Sequence, residues 1–309
     1  NEQGRYVAPY LLPGQYKLSV QQTGFKSFER GPFELRINDR VELNVVLEIG
    51  QMSDKVTVVA EAPLLDTVVV QGRATDLVGT ASAASSGSVG YVELAARPFL
   101  RRGELLEVIP GVVITQHSGG GKANQYFLRG FNLDHGTDFS ISVDGMPVNL
   151  RTHAHGQGYA DLNFIIPEFV QSVDYVKGPF AAEVGDFSAA GAANFQLFNV
   201  LPRAFAKVEA GENGYARLVA GDTFVRADGA ATTLGFEAAH DDGPWQLKEN
   251  LRRFSGFVRQ SWSGASGREF SLTALGYRAE WRSTDQVPQR AVDSGLNDRF
   301  GNINPTDGG

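Results

Sequence analysis

The chain has 309 residues, room for two or three domains, with 36 glycines, no cysteine and a formal net charge of −7. The acidic balance argues against a nucleic-acid surface, because phosphate binding needs a basic patch. Without cysteine there is neither a disulfide framework nor a thiolate metal site, and no uninterrupted apolar run approaches the ~20 residues of a transmembrane helix.

Residues 1–60 read as strands broken by turns. Tyr16–Val20 alternates, Phe33–Ile37 puts Phe33, Leu35 and Ile37 on one face, and Val41–Leu47 repeats the pattern. Period two with one apolar face marks a half-buried strand. Pro13-Gly14 and Thr23-Gly24 are turn punctuation. No histidine or paired acid sits in these strands at useful spacing, so a structural module is expected here. Asn1 falls inside a strand–turn unit and no signal peptide is visible, so the true N-terminus is expected to lie upstream.

From 61 to 89 the character changes. A valine-rich run at 67–70 is followed by Ala81–Ser88, whose small side chains bury too little apolar area to offset their ordering entropy. That stretch reads as a mobile linker. A β-prone segment on such a tether, Asp66-Thr67-Val68-Val69-Val70, suits addition to the sheet edge of a partner. Val56–Val59 is a second segment of similar composition, and Val68–Val70 also reads as a last strand of the first domain.

Residues 90–200 read as a glycine-rich α+β unit. A helix is predicted over Arg101–Val108, with Leu105, Leu106 and Ile109 on one face and Pro110-Gly111 as the stop. Strands are predicted at Val112–Ile114, Gln125–Leu128, Phe139–Val143 and Val173–Val176, with a tight turn at Asp144-Gly145 and a short helix opening at Pro167. His153 and His155 are two apart, so in an extended segment both imidazoles could reach one ion. His117 and His135, with Asp134 and Asp138, lie in the same unit. Two histidines fall short of the three or four protein ligands zinc takes, which leaves a hydrogen-bonded polar loop as the other reading. No Ser/His/Asp set or carboxylate pair makes a case for a hydrolase.

After Leu197 come hairpins. Candidate strands are 204–211, 215–225, 230–240, 254–262 and 269–281. In the third, Leu234, Phe236 and Ala238 oppose Thr233, Gly235 and Glu237; in the first, Ala206, Val208 and Ala210 oppose Lys207 and Glu209. Apolar-out, polar-in alternation over ~10 residues is the pattern of a transmembrane barrel strand. Short connections alternate with the longer polar stretches 241–253 and 282–309, and Trp245, Trp262 and Trp281 fall where aromatic girdles are expected.

Four fragments stand in fixed order within 127–195: Phe127-Leu128-Arg129-Gly130-Phe131, Val143-Asp144-Gly145-Met146-Pro147-Val148, Val176-Lys177-Gly178-Pro179, and Ala189-Ala190-Gly191-Ala192-Ala193-Asn194-Phe195. Together they resemble the plug domain of TonB-dependent outer-membrane receptors. Glu104–Val112 resembles the helix-then-P-G-V segment at the front of that plug, Asp66–Val70 looks like a TonB box, and Tyr10–Val20 with Thr23-Gly24-Phe25 resembles a carboxypeptidase-regulatory-like β-sandwich. The resemblance implies an energised importer with no enzymatic task and no cofactor. Its implied partners are the periplasmic transducer TonB, outer-membrane lipid, and a small-molecule or metal-chelate cargo. It places the protein in a Gram-negative outer membrane with the N-terminal domain in the periplasm. It also implies that Arg129 and Lys177 lock the plug by pairing with barrel acids, although Lys177 lacks the bidentate fork of Arg.

The expected architecture is mainly β: a partial β-sandwich at 1–60, the box and linker at 61–89, the plug at 90–200, and the first antiparallel strands of a transmembrane barrel at 201–309. Closed barrels run from ~8 strands upward and open edges are not tolerated in lipid, so a receptor cut at both ends is expected. The alternative is a soluble multi-domain β adhesin or binding protein without a transport role, which would not need detergent.

Overall fold

The computed structural model describes residues 14–35, 45–47, 49, 55–58, 80–83, 85–180, 182–226, 229–263, 269–284 and 286–302. Asp66–Val70 lies outside the described residues. The chain divides into two compact units, one built on residues 1–75 and the other on 76–262 with 270–309.

The first unit carries β1 (Gly14–Val20), β2 (Ser27–Leu35) and β3 (Lys55–Val58) in one sheet, in that order. In β1 the half-buried Tyr16, Leu18 and Val20 alternate with exposed Gln15, Lys17 and Ser19, as period two requires. Gly24 takes φ 89° in the turn to β2, a conformation open to glycine without a Cβ clash. β2 begins well before the predicted 33–37, because its pairing with β1 starts at Phe28 opposite Val20. Val45–Leu47 is not strand, contrary to the alternation there. Val56–Val58 pairs in parallel with Phe28–Arg30, so the second candidate for a captured segment is already hydrogen-bonded within its own sheet.

The second unit opens with β4 (Thr80–Ala83) and β5 (Ser86–Gly90), then α1 (Tyr91–Ala95) and a 3-10 helix over Arg102–Val108. β6 (Val112–Thr115), β7 (Gln125–Leu128) and β8 (Phe131–Asn132) form a small sheet. β9 (Phe139–Val143), β10 (Met146–Pro147), a second 3-10 turn at Pro167–Phe169, β11 (Val170–Lys177) and β12 (Gly191–Leu197) complete the globule. Its main sheet runs β10-β9-β12-β11-β5-β4.

Strands β4 and β5 correct the linker expected over 81–88. β11 needs partners for its main-chain groups on both edges, and Ser86–Gly90 supplies them on one, with Val173 opposite Val89 and Tyr175 opposite Gly87. Small side chains are no obstacle to a ladder held by backbone bonds, and the buried Val89 anchors the strand to the core. The globule therefore starts by Thr80 rather than near Gly90.

The predicted helix at 101–108 forms as 3-10 rather than α. Its one-face spacing holds: Leu105, Leu106 and Ile109 are fully buried. Asp144 and Gly145 both take positive φ (49° and 78°), the twist that joins β9 to β10 in a two-residue hairpin.

The remaining strands are β13 (Phe205–Ala210), β14 (Ala216–Val225), β15 (Ala231–Asp241), β16 (Leu251–Ser263) and β17 (Glu269–Glu280), an antiparallel meander in chain order. In β15, Thr233 and Glu237 are almost wholly buried at 0% and 1%, while Leu234 and Phe236 are 39% and 49% exposed. Val208, Phe254, Val258, Phe270 and Leu272 also face outward, whereas Arg217, Arg253 and Arg259 are buried. This inverts the soluble pattern and matches an apolar lipid-facing band around a polar interior. The inner face lies on the globule, where Val219 and Phe257 join the same core as Phe169 and Phe195. A short helix, α2 (Gln289–Asp293), follows β17. Among the described residues no helix is long and apolar enough to cross a membrane, a test that does not apply to strands.

Candidate functional site: the seam and the histidine loops

The globule meets the sheet through buried charge. Glu237 of β15 is shared by three arginines: Arg102 of the globule through Nη2 at 2.5 Å, Arg217 of β14 at 2.6 Å, and Arg253 of β16 at 3.0 Å. Arg217 also grips Glu168 of the globule with both terminal nitrogens, at 2.8 and 2.7 Å, and reaches Glu209 of β13 at 3.0 Å. Lys207 adds a contact to Glu168 at 3.3 Å. Two-pronged guanidinium–carboxylate contact fixes orientation as well as charge. Burial and the neighbouring Arg253 charge pull the Arg102 guanidinium down to about 10, with Glu237 opposing them, so it stays charged at neutral pH. Burial pushes the Glu168 carboxyl up, but the hydrogen bonds and charge of Arg217 outweigh it and hold it below the usual range.

The local chain explains these positions. Arg102 opens the 3-10 helix, where Glu104 caps the start by accepting from the backbone of Leu100 and Arg101. Gly103 lets that turn lie against Asn124; a Cβ there would stand 2.6 Å from Asn124 Oδ1. Glu168 and Phe169 sit in the 3-10 turn set by Pro167. The Phe169 ring covers Gly221 and Gly235, which face each other across β14 and β15. It also packs on Phe257 at 4.6 Å between centroids. Two paired glycines thus make a window in the sheet that admits one aromatic ring. Further along the seam, Arg259 of β16 binds Asp144 at 2.8 Å and the Leu197 carbonyl at 2.9 Å.

Sequence reasoning put the locking role on Arg129 and Lys177, and the structure places neither in an ion pair among the described residues. Arg129 is exposed at φ 54° on the β7–β8 turn, its side chain beside Gly111. Lys177 is buried but lies over the Tyr175 ring, its Nζ 5.8 Å from the centroid. The seam is held instead by Arg102, Glu168 and Asp144. Of these, only Asp144 stood in a quoted motif; Arg102 and Glu168 show no signal beyond a charge beside apolar helix positions. The sheet half was visible, since Lys207, Glu209 and Glu237 fell on the inward phase of their strands.

The tryptophans divide. Trp262 is exposed on the outer face, but Trp281 covers Gly119 and Gly121 of the globule and Trp245 donates to Glu249 at 3.0 Å. These two serve the interior rather than a girdle. Glu249 also accepts from the Gly120 backbone at 3.0 Å, and burial pushes its carboxyl up. Around this contact lies a cavity of about 890 Å³, lined by Gln116, His117 and Asn124 of the globule, by Trp245 and Glu249 between β15 and β16, and by Val287 and Arg299 beyond β17.

Beside His117 the histidines gather. Leu150 and Tyr159 pair across the neck of a loop that carries both His153 and His155. Asn149 ties this loop to the 132–138 turn, donating to the carbonyls of Gly136 and Gly158 at 2.9 and 3.0 Å. His155 consequently lies over His135, with ring centroids 4.5 Å apart, and His135 lies 5.0 Å from His117. His153 does not join His155 as expected. Its ring stacks on Tyr159 at 4.0 Å, and its Nδ1 accepts from the His155 backbone at 3.1 Å. Burial lowers the His135 pKa, favouring neutral imidazole.

Residues 79–192 match the family described as the TonB-dependent Receptor Plug Domain. Among solved structures, the ferric citrate transporter FecA in its unliganded form gives a TM-score of 0.54 at 17% identity, covering 72% of this chain and 35% of that one. The copper transporter OprC gives 0.51 at 18%, covering 67% and 33%. A variant of the ferric enterobactin receptor PfeA from Pseudomonas aeruginosa, in complex with enterobactin, gives 0.50 at 18%, covering 66% and 34%. The chain thus spans about a third of the length of each, and at these identities the likeness is one of fold. The family match identifies residues 79–192 as a TonB-dependent receptor plug domain, and the antiparallel meander that follows, with charged residues turned inward, shares the fold of the barrel wall in such receptors.

Proposed function

We propose that the protein is an outer-membrane importer that takes a scarce nutrient, a metal or a metal chelate, into the periplasm. The observation that carries this is the seam. A plug held to its wall by shared ion pairs around Glu237 is fixed yet releasable, because buried pairs contribute orientation more than net stability. Cargo enters the cavity beside Gln116 and His117, between the plug and the loops. The transducer TonB captures Asp66–Val70 as an added strand, and pulling on it works the plug loose from Arg217 and Glu237. The named cargoes of the neighbouring folds, copper, ferric citrate and ferric enterobactin, support a metal-bearing ligand by analogy of fold only.

The test is Val68→Pro in the full-length receptor, since proline removes a main-chain donor and resists strand addition. Cargo uptake by cells is expected to stop while cargo binding is retained. Uptake at the normal rate would overturn the assignment of 66–70. Lipid dependence separates this reading from a soluble adhesin: the importer needs detergent to stay dispersed, because Phe254, Phe270 and Leu272 face outward, and an adhesin does not.

A further inference from the structure

Three ligand atoms of the right chemistry converge on the plug loops. The carboxylate of Asp134 lies 3.8 Å from His135 Nε2 and 3.9 Å from His155 Nε2, measured from Oδ1 in both cases. The three groups lie mutually within 4.8 Å. His135 is 1% exposed, and its Nδ1 lies 2.9 Å from the carbonyl of Asn124. That contact fixes the tautomer with the proton on Nδ1 and leaves the Nε2 lone pair aimed at Asp134 and His155. This Nε2 is buried and has no hydrogen-bond partner. An orphaned buried acceptor in native structure calls for an explanation, and a ring whose far nitrogen donates to a carbonyl is how proteins orient a metal-binding imidazole.

We infer that Asp134, His135 and His155 form a binding site for a single first-row divalent transition-metal ion. Two bonds of about 2.0–2.1 Å at a tetrahedral angle set ligand atoms about 3.4 Å apart, so the two separations from Asp134 need to close by about half an ångström and the one between the histidines, within 4.8 Å, by at most about 1.4 Å. The exposed ring of His155 has the freedom to supply that movement. Two imidazoles and one carboxylate suit Zn²⁺, Cu²⁺, Ni²⁺ or Co²⁺ and not Ca²⁺ or Mg²⁺, which prefer all-oxygen shells. Three protein ligands leave a fourth position open for water or a passing ligand. His153 is a positioning residue: stacked on Tyr159, it accepts the backbone hydrogen of His155 and so sets where that ring stands. The inference deepens the import reading by naming an ion class for the cavity side of the plug, and it rests on that reading only in treating the ion as cargo.

Binding is measured without energy or uptake, on the full-length receptor in detergent. Calorimetry with Zn²⁺ and the visible absorption of added Co²⁺ should show one ion per chain and no response to Mg²⁺. His155→Ala, at an exposed position, and Asp134→Asn, which keeps a residue tolerant of the local φ of 51°, should each weaken binding at least about tenfold, the smallest loss expected even for an outer-shell partner. His153→Ala should weaken it less than either. The inference is overturned if no Zn²⁺ binds, if both ligand variants bind like the parent, or if His153→Ala matches His155→Ala while Asp134→Asn has no effect. Failure here with uptake still sensitive to Val68→Pro leaves the import reading standing. Intact metal binding with uptake indifferent to Val68→Pro keeps the metal site and overturns the assignment of 66–70.

Discussion

At the scale of residues, Glu237 decides how the seam behaves. It is the shared partner of Arg102, Arg217 and Arg253 in a place where all four side chains are almost out of water. Removing one partner of a buried pair leaves an uncompensated charge, at about 3–5 kcal/mol. Glu237→Gln is therefore expected to loosen the plug by that order, read as faster cleavage of the plug under limited proteolysis and a lower melting temperature. Arg129→Ala serves as the comparison. Its side chain is exposed and makes no ion pair among the described residues, so its effect should stay within about 0.5 kcal/mol, the range of ordinary surface changes. The two variants separate what sequence could see from what it could not. A family motif marks a backbone turn, here Arg129-Gly130, with both residues at positive φ. It does not say where the side chain beside that turn ends up. Likewise the histidine pair at 153 and 155 was legible as chemistry, but its true neighbours arrive from 134 and 135 through Asn149, a long-range contact no local spacing carries.

At the scale of elements, the window of Gly221 and Gly235 sets the fit between the Pro167–Phe169 turn and the wall. A Cβ built on Gly235 collides with the Phe169 ring, and one on Gly221 falls 2.5 Å from its Cζ. Gly235→Val should thus expel Phe169 and cost about 1–3 kcal/mol of docking by overpacking. Phe169→Ala in the same background should recover part of that loss, since the cause is the clash; thermal unfolding of the single and double variants checks the coupling. The barrel strands were legible because period-two alternation is local and each strand repeats it. The first strands of the plug were not. Thr80–Ala83 and Ser86–Gly90 carry almost no apolar signal; the second is imposed by the free edge of β11, and the first pairs with the second. Composition reports what a segment can bury, and these strands are held by backbone bonds.

At the scale of the molecule, the seam makes attachment of the plug depend on acid. Arg217 holds the Glu168 carboxyl below the usual range. A carboxylate depressed on docking stabilises the docked form above its ordinary pKa of ~4.3, and that contribution is lost as pH falls through the lower value. Protection of the plug from protease should stay level from about pH 8 to 5 and fall only below about 4. Glu168→Gln should be weaker throughout and lose part of that acid step. A parent whose plug loosens between pH 7 and 6 would show that some other group controls attachment.

The cluster around Glu237 has one further property. The plug contributes one cation and one anion to it, Arg102 and Glu168, and the wall contributes Lys207, Arg217 and Arg253 against Glu209 and Glu237. Withdrawing the plug removes a neutral pair, so the net charge of the wall cluster is the same before and after. Within this cluster no monopole is pulled from an opposite monopole and the restoring force is that of a dipole, whereas Asp144 with Arg259, further along the seam, is a bare pair. The dipolar force fades faster with distance than the attraction between two bare charges, and water entering the gap screens what remains. Resistance from the Glu237 cluster is therefore concentrated in the first few ångströms of separation, and the Asp144–Arg259 pair is the longer-ranged hold.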